Sequence, residues 1–415
     1  MGGDSVSVSG KRTPFRFFLS KMLSVSSNNK NSKMISVSVS SNNQSLSSAS
    51  TIGGNSDVLI NILYLLPLKS LCAFKTVSIQ WHSLISDPYF ERNYNRQSCR
   101  LRMPALFINR VSMEPEFVTD LEPKTLVMDE QNGFDYVPFD IPLPANLTCR
   151  INFEHACSGL VLCKFVDHRP RTTYVIYNPS MRCCKTLPSA PFRNTRVPII
   201  LSVTIAFDPA KSSYYQVVSV CNENISKGLF HIEIYSSETD SWRDAGDPFP
   251  FSSPGRLALS GVYWNGSVHW IDQWSATLHY FDIDCELMKT VAIPTQPRSV
   301  GDDNWQVEYF NECRGHFHLM EMRMDYTGWD AKYCFDLSSL TTVYPSILQR
   351  RYYHYFGLDV LLIEEGEDSS RLILRIAKEK VISFDLKNKS FKEMYDVRPG
   401  FCVKGFQYIE TLAHV

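Results

Sequence analysis

Residues 57–94, DVLINILYLLPLKSLCAFKTVSIQWHSLISDPYFERNY, hold more large apolar side chains than so short a stretch can hide. Leu59, Ile62, Leu63 and Leu66 follow the i, i+3, i+4, i+7 spacing of one helical face. Ser56 or Asp57 can cap its start. Pro67 has no N–H and disfavours helical geometry at Leu66, so the chain turns there. The same proline suits the first turn of a second helix carrying Leu68, Leu71, Cys72 and Phe74. A third short helix holds Trp81, Leu84 and Ile85 and stops before Pro88. A module below ~40 residues seldom folds alone. Val58, Leu65, Leu66 and Leu68 exceed what one internal face needs, so a partner is expected to cover the surplus. The competing expectation is that the block packs onto the rest of its own chain. Trp81 is expected in the module's core, where truncation to Ala opens a cavity costing ~3–5 kcal/mol.

The segment before this block has the opposite character. Serine fills sixteen of the first fifty positions, and residues 1–56 carry a charge of +5 against −6 for the remainder. So little apolar area cannot offset chain entropy, and residues 1–54 are expected to form a disordered Ser/Asn-rich tail. A Ser-rich, basic organellar transit peptide is the sharper alternative. The charge of −6 after residue 56 argues against a large nucleic-acid footprint on the folded body. The most apolar run, Val58–Leu68, is about half a membrane span and is broken by Asn61 and Pro67, so no membrane segment is expected. Twelve cysteines without a CxxC pair suit reduced residues of a cytoplasmic or nuclear protein.

After residue 100, short β-branched and aromatic runs alternate with Gly, Pro, Asn and Asp turns, the pattern of many short strands. Two phrases recur. A tight turn before an alternating strand appears at Gly159, Gly266 and Gly315, with a looser copy at Gly357. Asn265-Gly266 is a strong type I′ hairpin signal. An aromatic strand end followed by a polar turn appears at Tyr177, Tyr235, Phe281, Phe335 and Phe384, at intervals of 58, 46, 54 and 49. A period near 50 fits the ~40–50 residues of a propeller blade, giving about six blades after residue 100. A β-sandwich pair is the alternative.

Chemistry of a catalytic kind is not evident. Walker, Rossmann, HExxH and GxSxG motifs are absent. His316 and His318 would share a strand face, and Asp282 and Asp284 form a DxD pair, but neither has a companion ligand cluster. The aspartates read as turn residues. Glu364–Asp368 reads as a solvated acidic loop, and Tyr352–Phe356 as strand packing or a binding face. No catalytic residue, cofactor or metal is expected.

The run I-L-x-x-L-P-L-K-S-L (Ile62 to Leu71), then V-S-x-x-W (Val77, Ser78, Trp81), then L-I-S-D-P-Y-F (Leu84 to Phe90) resembles an F-box in its plant form. YVIYNPSMRCCKTLPSAP, IAFDPAKSSYYQVVSV and GVYWNGSVHWI are similar to the plant F-box-associated interaction domain, a kelch-like repeat region. The resemblance implies a three-helix F-box at residues 55–97 and an all-β, propeller-like substrate-binding domain at 100–410. It implies docking on the small adaptor of SCF-type cullin–RING ubiquitin ligases through Leu59, Ile62, Leu63, Pro67, Leu68, Leu71, Val77 and Trp81. Some of these would face the adaptor and some the module's own core. The protein would be a non-catalytic substrate-recognition subunit for an unidentified protein target. A family member usually opens with Leu-Pro, where this chain has Asn55-Ser56-Asp57, which implies a weaker adaptor contact. A scaffold that never joins a ligase, and a propeller enzyme or ligand binder with a convergent polar pocket, are the other readings.

Overall fold

The structure is a computed structural model and describes residues 56–101, 105–112, 124–129, 133–138, 150–166, 172–189, 199–222, 228–250, 261–272, 277–293, 310–313, 316–336, 338–348, 358–364, 370–376, 380–396 and 401–415. The chain divides into two compact units, Met1–Leu59 and Ile60–Val415, and the first is described only from Ser56. The stretch assigned to a disordered tail therefore lies outside the described residues.

The helical block contains α1 (Ser56–Tyr64), α2 (Leu68–Phe74), α3 (Ile79–Ile85) and a longer α4 (Pro88–Leu101). Each break has a local cause. Pro67 ends the first helical run and sits, extended, as the N-cap of α2. The Ser78 hydroxyl accepts the Trp81 N–H at 3.1 Å and caps α3. Pro88 then restarts the chain as α4, with Asp87 Oδ1 accepting from Tyr89 and Phe90 at 2.9 and 3.1 Å. Leu63, Leu68, Leu71, Phe74, Ile85, Phe90 and Tyr94 are buried. Tyr64 stacks on Phe90 at 4.8 Å, and Tyr94 Oη donates to the Leu66 carbonyl at 3.0 Å, across the Pro67 break. Among the described residues no helix is long and apolar enough to cross a membrane.

Among the described residues the β region forms six antiparallel sheets. In chain order the strands are β1 (Ala105–Ser112), β2 (Lys124–Asp129), β3 (Gly133–Pro138), β4 (Arg150–Cys157), β5 (Leu160–Val166), β6 (Thr172–Asn178) and β7 (Cys183–Thr186). Next come β8 (Ile199–Ala206), β9 (Gln216–Asn222), β10 (Leu229–Ser236), β11 (Ser241–Pro250), β12 (Val262–Trp264), β13 (Ser267–Asp272), β14 (Thr277–Asp282) and β15 (Leu287–Ala292). The last are β16 (Phe310–Cys313), β17 (His316–Met322), β18 (Trp329–Asp336), β19 (Leu358–Glu364), β20 (Arg371–Ile376), β21 (Lys380–Asp385), β22 (Ser390–Asp396) and β23 (Phe401–Tyr408). Five sheets have four strands in simple meander order, except that β23 joins the first as β23-β1-β2-β3. Strands at one edge of successive sheets adjoin one another in five of the six: β19 beside β23, β23 beside β4, β4 beside β8, β8 beside β12. That succession of six small sheets is propeller-like and is not a two-sheet sandwich.

The aromatic phrase has a physical basis. Tyr177, Tyr235, Phe281 and Phe384 are each the penultimate residue of a third strand, and all are buried. A four-residue connection follows every one, ending in a left-handed residue: Arg182, Asp240, Glu286 or Lys389, with φ of 52–55°. The residue after the aromatic caps the turn. Asn178 Oδ1 accepts from Ser180 N at 2.9 Å, Asp282 Oδ1 from Cys285 N at 3.1 Å, and Asp385 Oδ1 from Lys387 N at 2.9 Å. Ser158-Gly159 and Asn265-Gly266 have positive φ throughout and turn the first strand into the second. The copy at Gly357 differs. That glycine lies outside the described residues, and Leu358 opens a first strand rather than a second.

The fifth sheet has three described strands, β16-β17-β18. Beyond β18 come α5 (Ser338–Val343) and a 3-10 turn, Pro345–Leu348. Leu340, Tyr344 and Ile347 of this segment bury themselves against Leu372, Leu374 and Phe384 of the sixth sheet. The β17–β18 connection reaches the fourth sheet, where Tyr326 stacks on Tyr280 at 4.2 Å and bonds His269 Nε2 at 3.0 Å.

His155 in β4 is buried at the seam with β8, and its Nδ1 accepts the Ile205 N–H at 3.2 Å. Burial pulls its pKa down to about 4, because desolvation penalises the imidazolium. An unfolded chain takes up this proton near pH 6.5, well before the folded one does. Stability from the neutral ring is therefore present above that pH and is lost as pH falls from about 6.5 towards 4. Denaturant titrations at pH 7 and pH 5 should show a loss of about 2 kcal/mol from this residue, absent in His155→Gln. An equal pH response in both proteins contradicts this assignment.

Candidate functional site

The structure sorts the eight F-box positions by exposure. Leu59, Leu63, Leu68 and Leu71 are at most 2% exposed and present no surface to a partner. Pro67 is exposed, Val77 is 51% exposed, and Ile62 and Trp81 are partly buried. Trp81 lies edge-on to Phe74 at 5.0 Å and is partly buried. Its truncation therefore costs less than the full cavity penalty expected of a core tryptophan.

Two aliphatic residues outside that set are more exposed than any aliphatic residue within it. Leu65 is 76% and Ile79 91% exposed, and Val58 is also exposed. The Pro67 break leaves Leu65 in the turn after α1, off the buried stripe of the helix. Ile79 opens α3, just after the Ser78 cap, so the cap that orients α3 also holds Ile79 outward. Leu65 lies in the 65–67 connection, and Ile79 is the first residue of α3, directly after the 75–78 connection. Helical spacing could not find them. The count of large aliphatics beyond one buried stripe was the available signal, and it singled out Leu65 but not Ile79.

In the β region a cavity of about 280 Å³ lies between the second and third sheets. Thr172, Thr173, Thr186, Ser189 and Ser219 supply hydroxyls, and Trp242 forms an aromatic wall. The indole Nε1 donates to the Pro188 carbonyl at 2.8 Å, which fixes the ring. No carboxylate, imidazole, thiol or ammonium group lines this cavity. It can hold a neutral polar group beside the indole.

The other sequence candidates disperse. Asp282 caps its turn and pairs with Lys289 at 2.9 Å, and that ammonium holds its carboxyl below the ordinary range. Asp284 is exposed in the same turn. Burial pushes the thiols of Cys163, Cys183 and Cys184 upward, which disfavours thiolate and hence metal binding. Among the described residues no three His, Cys, Asp or Glu come together as a metal site. The side chains of His316 and His318, residues 365–368 of the acidic loop and residues 352–356 of the aromatic run lie outside the described set.

Comparison with known proteins accounts for both parts of the chain. Residues 55–93 match the F-box domain, and residues 139–323 match the F-box associated beta propeller domain. An F-box protein of Arabidopsis thaliana is 26% identical over 401 residues, covering 86% of this chain and 92% of its own length. An F-box/kelch-repeat protein of the same plant is 27% identical, covering 58% of this chain and 60% of its own length. A further Arabidopsis F-box protein is 22% identical, covering 64% of this chain and 71% of its own.

The exposure pattern separates core from surface by experiment. Leu71→Ala should destabilise the module by ~2–5 kcal/mol, whereas Leu65→Ala and Ile79→Ala should stay within about 0.5 kcal/mol. Urea titration of the full chain measures both. Comparable losses at Leu65 and Leu71 run against the assignment.

Proposed function

We propose that this chain, in which an F-box domain precedes an F-box-associated β-propeller domain, is the substrate-recognition subunit of an SCF-type cullin–RING ubiquitin ligase. The carrying observation is the exposure of Leu65, Val77 and Ile79 on a module whose own core is already filled. Large aliphatics held in water are costly, and each fully covered by a partner contributes about 2 kcal/mol. These three, with Pro67 and the partly buried Ile62 and Trp81, are the adaptor contacts we assign. Leu59, Leu63, Leu68 and Leu71 serve by shaping the module. Residues 55–97 dock the adaptor, and residues 100–410 bind the target.

No reacting group is required of this subunit. Its contribution is proximity, raising the local concentration of target lysines at a ubiquitin-loaded enzyme. The target is a protein, taken by the β-propeller domain, in the cytoplasm or nucleus.

Adaptor capture tests the reading. The purified full chain should retain the small SCF adaptor, and Leu65→Asp/Ile79→Asp should weaken retention at least tenfold while the urea midpoint is unchanged. Failure of the wild-type chain to retain the adaptor defeats the proposal. Retention of the adaptor without recruitment of the cullin favours a scaffold outside the ligase.

A further inference from the structure

After β23 the chain does not leave the fold. Residues Ile409–Val415 run along the turns of the second sheet and meet α4 of the F-box domain. Thr411, Leu412 and Ala413 are almost completely buried. Asn95 of α4, itself buried, accepts the Leu412 N–H at 3.0 Å. From the other side, Asn178 Nδ2 donates to the Thr411 and Ala413 carbonyls at 3.2 and 2.7 Å. Ala413 and Val415 pack into the core that the second and third sheets share. His414 approaches Glu91 of α4 at 3.8 Å, and Cys72 of α2 touches Met181 of the second sheet at 3.7 Å.

The second sheet departs from its siblings at the two positions that make room for this segment. At the turn-capping position the fourth and sixth sheets carry Asp282 and Asp385, which can only accept. The second sheet carries Asn178, whose oxygen caps the turn while its nitrogen holds the segment. The hairpin glycines differ as well. Gly159 and Gly266 have the same left-handed backbone, with φ of 87° and 77°. A Cβ on Gly266 would meet nothing within 4 Å. One on Gly159 would lie 2.3 Å from the Ile409 carbonyl oxygen and 2.4 Å from Thr411 Cγ2.

We infer that Ile409–Val415 is a strap that locks α4 of the F-box domain onto the second sheet, holding the two domains in one orientation. The segment bonds α4 with one edge and the sheet with the other, so neither domain can turn without breaking buried hydrogen bonds. Unsatisfied buried groups make that opening costly. The lock stands on these contacts alone. Its consequence rests on the proposed ligase role: a fixed orientation sets where a bound target lies relative to the adaptor.

The two glycines supply a matched test. Gly159→Ala and Gly266→Ala impose the same backbone strain, and only the first displaces the strap. Asn178→Asp keeps the turn cap and removes the amide donors, which tests the lock by a second route. Dyes placed at exposed Lys69 and Lys389 through an unnatural amino acid report the inter-domain distance in single-molecule energy transfer. Wild type and Gly266→Ala should give one narrow distribution. Gly159→Ala and Asn178→Asp should at least double its width and raise Leu412 amide exchange roughly tenfold or more. Unchanged distributions in both strap variants overturn the inference, as does equal broadening in Gly266→Ala. Adaptor capture by the same samples is read separately; its loss in the wild type defeats the ligase reading and leaves the distance result intact.

Discussion

Everything in the β region depends on the pairing of β23 with β1. Eight residue pairs, from Ala105 against Tyr408 to Ser112 against Phe401, tie strands almost three hundred positions apart. Without β23 the first sheet lacks the strand that adjoins β4 on one side and β19 on the other. Closure by a late strand makes the succession of sheets one cooperative object, since long-range pairing is rewarded only after its entropy cost is met. It also delivers the chain, within four residues, to the second sheet and the F-box domain.

The same economy appears in the repeat. One local solution, a buried aromatic at the end of the third strand and a side-chain cap on the next residue, is reused in sheets two, three, four and six. After the third strand of the fifth sheet the chain turns helical instead. There α5 and the 3-10 turn bring Leu340, Tyr344 and Ile347 onto the sixth sheet. Repetition gives the scaffold, and the departures from repetition mark where it does something else. Asn178 in place of aspartate and the crowded Gly159 are departures of that kind.

The helical block shows how exposure and stability divide among similar residues. Leu71 and Ile79 are both large aliphatics eight positions apart, yet one is fully buried and the other almost fully exposed. The Ser78 cap decides between them, because it starts α3 where Ile79 points outward and Ile85 inward. A surface left apolar by its own fold is ready for a partner, and it needs no rearrangement to be used.

Much of this was legible in the chain alone. The break at Pro67, the stop before Pro88, the type I′ turn at Asn265-Gly266 and the aromatic period near 50 each follow from local rules of backbone geometry and side-chain capping. Such rules act between neighbours, so a sequence carries them whole. Spacing named Leu59, Leu63, Leu68 and Leu71 but could not separate core from surface, since a helical stripe looks the same whichever body covers it. The copy at Gly357 failed because a glycine before a strand does not say which strand of a sheet follows. The contact of Asn95 with Leu412, more than three hundred residues apart, belonged to tertiary structure alone. Only once β23 closes against β1 are those two groups brought within reach, and no local preference of either residue encodes that meeting.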